Sequence, residues 1–222
     1  MGIIEQGVNG PFKGKAGSVV GSSWKRIHYI KGLRKDKGRK RPPTPDQAIQ
    51  REKFVMLNRF FSSLRKVINI GFVQFTGKST AVNAALRYNY DQAFLDEGGN
   101  LLLNYSALKL SHGSLVTAGT EKAVFEGSNA IRVTWNTKTY GMGGEMDDTA
   151  HAVAYIPEID YAAGNVKSEV RQHGSAIINF HEPIDRMTVH VWLFFSDRQS
   201  KRVSKTVYIP LNEAGPDSNT KT

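Results

Sequence analysis

The sequence predicts an α+β protein that is mainly β: a basic N-terminal β-ribbon and a helical hairpin, followed by an antiparallel immunoglobulin/fibronectin-III-like β-sandwich. Three observations predict it. Glycine and β-forming residues dominate positions 1–33, an apolar stripe with helical spacing follows, and short β-prone runs about ten residues apart fill the rest. The predicted domains are 1–43 (basic ribbon and loop), 44–98 (helical hairpin), 99–212 (sandwich) and 213–222 (flexible tail).

The ribbon is predicted from its turn signals. The Gly-Ser-Ser stretch at 21–23 is interpreted as the turn of a hairpin whose second arm runs from Trp24 to Ile30. Alternation along this arm places Trp24 and Tyr29 on opposite sides. Because neither side is purely apolar, we expect an exposed ribbon, able to contact nucleic acid or to pair with another copy of itself.

Positive charge is concentrated in the first third of the chain. Residues 1–66 hold 16 Lys and Arg against 4 Asp and Glu, whereas residues 67–222 hold 14 against 16. A dense basic run repels itself unless a polyanion neutralises it, and nucleic acid is the commonest such partner. A solvated linker is the alternative interpretation of the run.

The predicted nucleic-acid-binding residues combine both features of this region. Two aromatic side chains would stack on bases, and nine basic side chains would contact phosphates. The aromatic residues are Trp24 and Tyr29, and the basic residues are Lys25, Arg26, Lys31, Arg34, Lys35, Lys37, Arg39, Lys40 and Arg41.

The clearest local signal is a helix start at the end of the basic run. Thr44, Pro45 and Gln47 match an N-cap, a first-turn proline and a capping box, and Gly71 is a C-terminal stop, so a helix of about 26 residues is predicted. Its apolar stripe is Phe54, Leu57, Phe61, Leu64 and Ile68. A second helix over about 79–90 would complete a hairpin that packs against the rest.

The remaining chain favours β-structure. Gly, Asn and Pro separate short runs of β-forming residues, and several runs alternate with period two, which is typical of a sandwich. The predicted strands are 101–105, 108–111, 115–118, 122–125, 130–135, 151–156, 167–171, 176–180, 187–195 and 203–209.

Motifs for catalysis or metal binding are weak. The chain has no cysteine, which excludes thiol nucleophiles and zinc–thiolate sites. Gly77-Lys78-Ser79-Thr80 matches the end of a phosphate-binding loop, but Phe72 stands where that motif requires glycine, so we interpret it as a turn and a helix cap. The glycine-rich segment 141–148 holds three carboxylates but lacks calcium-loop spacing, and it is interpreted as a long, mobile loop between two sandwich strands. We therefore predict no enzyme activity, no cofactor and no metal.

No targeting or membrane signal is present in the sequence. The N-terminus lacks the apolar run of a secretory signal, and no stretch approaches the roughly 20 apolar residues of a membrane span. We expect a cytoplasmic protein that does not enter a membrane.

Several motifs in a fixed order resemble an uncharacterised family common in Bacteroidota. They are Met1-Gly2-Ile3-Ile4, Gly10-Pro11-Phe12, Val19-Val20-Gly21-Ser22-Ser23-Trp24, Pro43-Thr44-x-x-Gln47-x-x-Gln50-Arg51, Asn69-Ile70-Gly71-Phe72, Asn83-Ala84-Ala85, Asn104-Tyr105-Ser106, Leu110-Ser111-x-Gly113-x-Leu115 and Val203-Ser204-Lys205-Thr206-Val207-Tyr208-Ile209. The resemblance spans nearly the whole chain and implies no activity.

The leading hypothesis is a non-enzymatic protein whose basic N-terminal arm binds nucleic acid or another polyanion. The alternative is a self-assembling structural protein, forming an oligomer, a filament or a phage-like particle through the exposed ribbon and the wide helical stripe. A third class, an enzyme or a carbohydrate-binding sandwich, would show a pocket with clustered carboxylates or aromatic residues.

Overall fold

The computed structural model describes residues 2–4, 10–24, 27–33, 42–77, 79–139, 143–165, 169–184 and 187–212. The chain divides into two compact units: an N-terminal unit, residues 1–44, and a C-terminal unit, residues 45–222. Strands outnumber helices in the described residues, so the α+β, mainly β class predicted from the sequence is confirmed. The predicted flexible tail at 213–222 lies outside the described residues.

The N-terminal unit is an antiparallel sheet in which sequential strands are neighbours. Its strands are β1 (Gly2–Ile4), β2 (Phe12–Ala16), β3 (Val19–Trp24) and β4 (Ile27–Gly32). The turn predicted at 21–23 is wrong, because β3 continues to Trp24, which pairs with Ile27 at the start of β4. Gly21 is required for close packing instead: a Cβ there would lie 2.0 Å from the carbonyl oxygen of Phe12.

The C-terminal unit begins with helices and a short hairpin. These elements are α1 (Pro45–Ser63), α2 (Arg65–Gly71), α3 (Ala81–Asn89), β5 (Phe94–Glu97) and β6 (Asn100–Leu103). The single long helix predicted from the stripe is interrupted at Leu64, which has φ −100° and ψ 16°. The second predicted helix is confirmed as α3, and the Thr80 hydroxyl caps it by accepting a hydrogen bond from the Asn83 N–H. No helix in the described residues is long and apolar enough to span a bilayer.

The apolar stripe of the helices is buried over most of its length. Leu57, Phe61, Leu64 and Ile68 are buried, as the periodicity predicts, whereas Phe54 is 50% exposed. The buried residues of α1 begin at Leu57, so the first turns of this helix extend beyond the core.

Two sheets of four strands each complete the C-terminal unit. Their strands are β7 (Lys122–Phe125), β8 (Ala130–Thr134), β9 (Thr149–Ile156), β10 (Tyr161–Gly164), β11 (Ser175–Asn179), β12 (His190–Ser196), β13 (Val207–Ile209) and β14 (Leu211–Asn212). One sheet has the order β10-β9-β12-β13 and the other β11-β8-β7-β14. All pairs are antiparallel except β7 with β14. The immunoglobulin/fibronectin-III-like label remains a prediction.

The central strands β9 and β12 are buried on both faces. Ala152 and Leu193 belong to the core between the two sheets, whereas Tyr155, Trp192 and Phe194 belong to a second core that includes the helices. The sheet therefore lies between a helical layer and the other sheet. Burial on both sides explains why the sequence of β12 is apolar at nearly every position.

The strands predicted at 108–111 and 115–118 are wrong, since the structure shows there only an isolated bridge at Leu115. Side chains replace a partner strand in this segment. The Thr206 hydroxyl accepts hydrogen bonds from the N–H groups of Leu110 (2.9 Å) and Ser111 (2.6 Å), and the buried Asn89 amide bonds Lys109 on both sides of its backbone. Backbone polar groups need a partner, but the partner need not be a strand.

Candidate nucleic-acid interface

The register of the N-terminal sheet brings basic and aromatic residues to one face. Lys15 pairs with Val20, which pairs with Lys31 on the other side, so the two lysines lie in one row across three strands. In the neighbouring rows of β3 and β4, Tyr29 is opposite Ser22 and Trp24 is opposite Ile27. Residues paired across strands share a face, and so do residues two apart along a strand. We call Lys15, Trp24, Tyr29 and Lys31 the basic–aromatic face.

The basic–aromatic face is open to solvent. Trp24 is 42% exposed and Tyr29 43% exposed, and both lysines are exposed. Residues 10–24 and 27–33 contain no Asp or Glu, and neither lysine forms an ion pair with a described residue. Large aromatic side chains are exposed here beside positive charges that no described carboxylate neutralises.

The two compact units differ sharply in charge. Residues 1–44 contain eleven Lys and Arg against two Asp and Glu, a formal net charge of +9, whereas residues 45–222 carry only +1. A field of this sign attracts polyanions and weakens with added salt.

The structure places three of the predicted site residues. Trp24, Tyr29 and Lys31 are described and lie together on one face. The prediction that Trp24 and Tyr29 lie on opposite sides is wrong, because it assumed one uninterrupted strand across a position where the chain reverses. The other predicted residues lie outside the described residues: Lys25, Arg26, Arg34, Lys35, Lys37, Arg39, Lys40 and Arg41.

Sequence reasoning missed Lys15. It stands apart from the dense basic run, and only the pairing of β2 with β3 brings it into line with Lys31. The available signal was the alternating Phe-Lys-Gly-Lys-Ala sequence of β2, which predicts both lysines of that strand on one side, so the exposed Lys13 lies on the same side of the sheet as Lys15 and was missed as well.

Two polar pairs in the C-terminal unit have the geometry of structural contacts and not of a catalytic site. His151 Nε2 lies 2.9 Å from Ser196 Oγ, but Ser196 is 1% exposed, so substrate has no access to this hydroxyl. Burial lowers the pKa of His151 to about 4, which keeps the ring neutral at pH 7. Asp148, predicted to lie in a mobile loop, is instead buried against Arg171, with 3.3 Å between Oδ2 and Nη2.

Potential metal ligands are dispersed in the part of the chain that the structure describes. No group of three or more His, Asp or Glu residues there is arranged to hold a metal ion. The Asp148 carboxylate, which pairs with the fully buried Arg171, is not part of such a group.

Together, these features define a class: an α+β, mainly β protein with a basic, glycine-rich N-terminal sheet and a separate layered β-rich unit. The chain belongs to a family of unknown function, DUF6266, whose profile matches residues 11–210. This match confirms the resemblance to an uncharacterised family. No curated protein matches the chain.

Proposed function

We propose that the N-terminal unit binds single-stranded nucleic acid through the basic–aromatic face. The observation that carries the proposal is the register, which aligns two lysines with two exposed aromatic rings on one face of a short sheet. Lysines of this kind contact the phosphate backbone, and aromatic rings stack on unpaired bases.

Exposed rings favour a single strand over a duplex. In a duplex the flat faces of the bases are stacked on each other, whereas an unpaired strand offers them to Trp24 and Tyr29, each stacking contributing about 1–3 kcal/mol. The basic residues at 25–41 add to this proposal through their sequence alone, because their charge would extend the contact with the backbone.

The first prediction concerns the salt dependence of binding. Replacing Lys15 and Lys31 with Gln removes two phosphate contacts, so the slope of log affinity against log salt should fall by about 1.4 for a single strand. That change corresponds to roughly tenfold weaker binding at about 0.15 M salt. Fluorescence anisotropy of a labelled oligothymidylate, titrated at several salt concentrations, measures both quantities.

The matched control is a double replacement of Lys66 and Lys122 with Gln, which removes the same charge from exposed positions of the C-terminal unit. Its slope should equal that of the wild type. Trp24 also reports binding, because Trp135 and Trp192 are buried, so quenching on titration should disappear in Trp24→Phe. Equal slopes for the two lysine pairs would refute the proposed site.

Self-assembly is a second candidate function, favoured by the outer edge of the same sheet. All six residues of β4 are exposed, and in the described residues β4 pairs only with β3. An open, uncapped edge is a template for pairing with another strand, here β4 of a second copy.

The direction of the N–H groups in β4 allows a selective test. Leu33 N–H donates to the Ser18 carbonyl at 2.8 Å, and alternate residues of an antiparallel pair face the partner, so the Ile30 N–H points away from β3. Ile30→Pro should remove an outward donor without breaking the sheet, and should weaken self-association at least tenfold.

Light scattering over a concentration series measures this second prediction. Ile30→Thr is the control, because it keeps both the β-branched shape and the N–H group and should associate like the wild type. A wild-type protein that stays monomeric at every concentration would eliminate assembly through β4.

A further inference from the structure

A small open cavity lies in the C-terminal unit, between α1, the end of β6 and the turn after β9. Its volume is about 220 Å³, space for about seven water molecules. This is below the usual size of a cofactor or drug site, so it would hold one small molecule. Its lining residues are Met56, Arg59, Phe60, Leu103, Tyr105, Tyr155, Pro157 and Asp160.

The polar side of the cavity is built around the carboxylate of Asp160. Its Oδ1 accepts a hydrogen bond from the Tyr155 hydroxyl and its Oδ2 accepts one from Arg59 Nε, each at 2.8 Å. The bond from Tyr155, with a further contribution from Arg59, lowers the pKa of Asp160, so the group is ionised at neutral pH. Asp160 has φ 48°, a left-handed conformation that is uncommon outside glycine and is often retained at functional positions.

Several hydrogen-bonding groups at the opening of the cavity have no partner among the described residues. Arg59 contacts Asp160 through Nε alone, and its two Nη groups and the Tyr105 hydroxyl have no partner among the described residues. Each Asp160 oxygen has accepted one bond and can accept another. The opening of the cavity therefore offers two donors in one plane, the Nη groups of Arg59, next to two acceptors, the carboxylate oxygens of Asp160.

The other side of the cavity is apolar and firmly held. The ring of Tyr105 stacks on His190 with 4.2 Å between centroids and 18° between planes, and Met56, Leu103 and Pro157 complete this wall. A ligand must match an apolar, partly aromatic wall and a rim of adjacent donors and acceptors.

Charge disfavours one obvious ligand class. Among the lining residues Arg59 is the cation and Asp160 the carboxylate, and the two are paired. Burial raises the pKa of the Tyr105 hydroxyl, and the carboxylates of Asp160 and Glu158 add to this rise. A phosphate or carboxylate bound to Arg59 would be repelled by the adjacent Asp160 carboxylate. A neutral hydroxylated molecule would meet no such repulsion, and each of its hydroxyls both donates and accepts.

We propose that this cavity binds one neutral sugar ring. Vicinal hydroxyls of the ring bond the Arg59 Nη groups and the Asp160 carboxylate, and its C–H face packs on Tyr105. The site shares no residue with the basic–aromatic face, so the sugar proposal does not rest on the nucleic-acid proposal.

Saturation-transfer NMR on the full chain tests the proposal, with methyl pyranosides of glucose, galactose, mannose and N-acetylglucosamine as probes. At least one should bind, with a dissociation constant on the order of 1 mM. Benzoate and inorganic phosphate are the anionic comparators and should give no competition. If no pyranoside binds at ten times that concentration, or if only the anions bind, the proposal is overturned.

Variants locate the site. Asp160→Asn tolerates the left-handed conformation and keeps an acceptor for Tyr155, so the protein should fold while its sugar affinity falls at least tenfold. Arg59→Leu should have a similar effect, and Arg51→Leu, two turns earlier on the same helix, should have none. Unchanged sugar affinity in Asp160→Asn would show that the sugar binds elsewhere and would overturn the proposed site. Unchanged sugar affinity in the variant with Lys15→Gln and Lys31→Gln would show that this site is independent of the proposed nucleic-acid site.

Discussion

Asp148→Ala is expected to lower the free energy of unfolding by about 3–5 kcal/mol, because it leaves Arg171 charged and without its counter-ion inside the C-terminal unit. Arg171 is 0% exposed and Asp148 1% exposed. One Arg171 Nη group donates to Asp148 and to the Val116 carbonyl, and the guanidinium lies 4.0 Å from the centroid of Phe195. Its Nε and other Nη already lack hydrogen-bond partners, so once Asp148 is removed the charge keeps only the Val116 carbonyl, the Phe195 ring and the weaker influence of Glu121.

Chemical denaturation followed by tryptophan fluorescence measures this change. Trp135 is a local reporter, since its indole N–H donates to the Arg171 carbonyl at 2.9 Å. Asp147→Ala is the matched control, because Asp147 is exposed and its nearest approach to Arg198 is 4.0 Å, so the variant should change stability by less than about 0.5 kcal/mol.

The double variant Asp148→Asn, Arg171→Met distinguishes a lost ion pair from a lost side chain. It removes both charges while keeping an acceptor for the Glu145 N–H, and should recover at least half of the stability lost in Asp148→Ala. If Asp148→Ala is as stable as the wild type, water or another carboxylate such as Glu121, whose charge also favours the protonated guanidinium, must stabilise Arg171.

The sequence predicted correctly those parts of the fold that depend on local patterns of residues. The start of α1 and the span of α3 follow from capping residues and apolar spacing, which act within a few turns. The burial of β12 on both faces is not local, because it depends on the helices that cover Trp192 and Phe194. The run of apolar residues indicated a strand but could not show what lies on each side.

The candidate sites likewise combine features that local sequence indicates with features that only the fold produces. Charge and aromatic content indicated the N-terminal unit as a candidate binding site. The prediction that Trp24 and Tyr29 lie on opposite sides was wrong, because Gly21 was interpreted as a turn residue, whereas it is needed for the close approach of β3 to Phe12. The Arg59–Asp160 pair joins residues 101 positions apart, and the Asp148–Arg171 pair joins a turn to the start of a short 3-10 helix 23 positions later. No spacing in the sequence connects such residues, because the fold alone brings them together.

The second large effect is expected at two glycines of the motifs that carry the family resemblance. A Cβ on Gly71 would lie 2.0 Å from the Leu110 carbonyl oxygen, and a Cβ on Gly113 would lie 2.1 Å from the Val203 carbonyl oxygen. Both contacts are to backbone, which cannot rotate away as a side chain can. Gly71→Ala and Gly113→Ala should therefore each cost about 3 kcal/mol, the upper end of the usual range for overpacking.

Gly77→Ala is the control for both variants, since a Cβ there would meet nothing within 4 Å, and it should be neutral within about 0.5 kcal/mol. Denaturation midpoints of the three variants compare the effects directly. If Gly71→Ala and Gly113→Ala were as stable as Gly77→Ala, the approach of these segments would be looser than the structure shows.

The expected losses of stability also test whether these family motifs serve the fold or a binding function. Gly71, Gly113 and Val203 come from three separate motifs, and a third contact joins the last two of these motifs, since the Ser111 hydroxyl donates to the Ser204 carbonyl at 2.8 Å. Residues that hold α2 against two extended segments are needed for the fold whatever the protein binds. A stability loss at both glycines, with unchanged oligothymidylate affinity in the folded fraction, would assign these motifs to the architecture of the C-terminal unit and leave the basic–aromatic face as the place where function is tested.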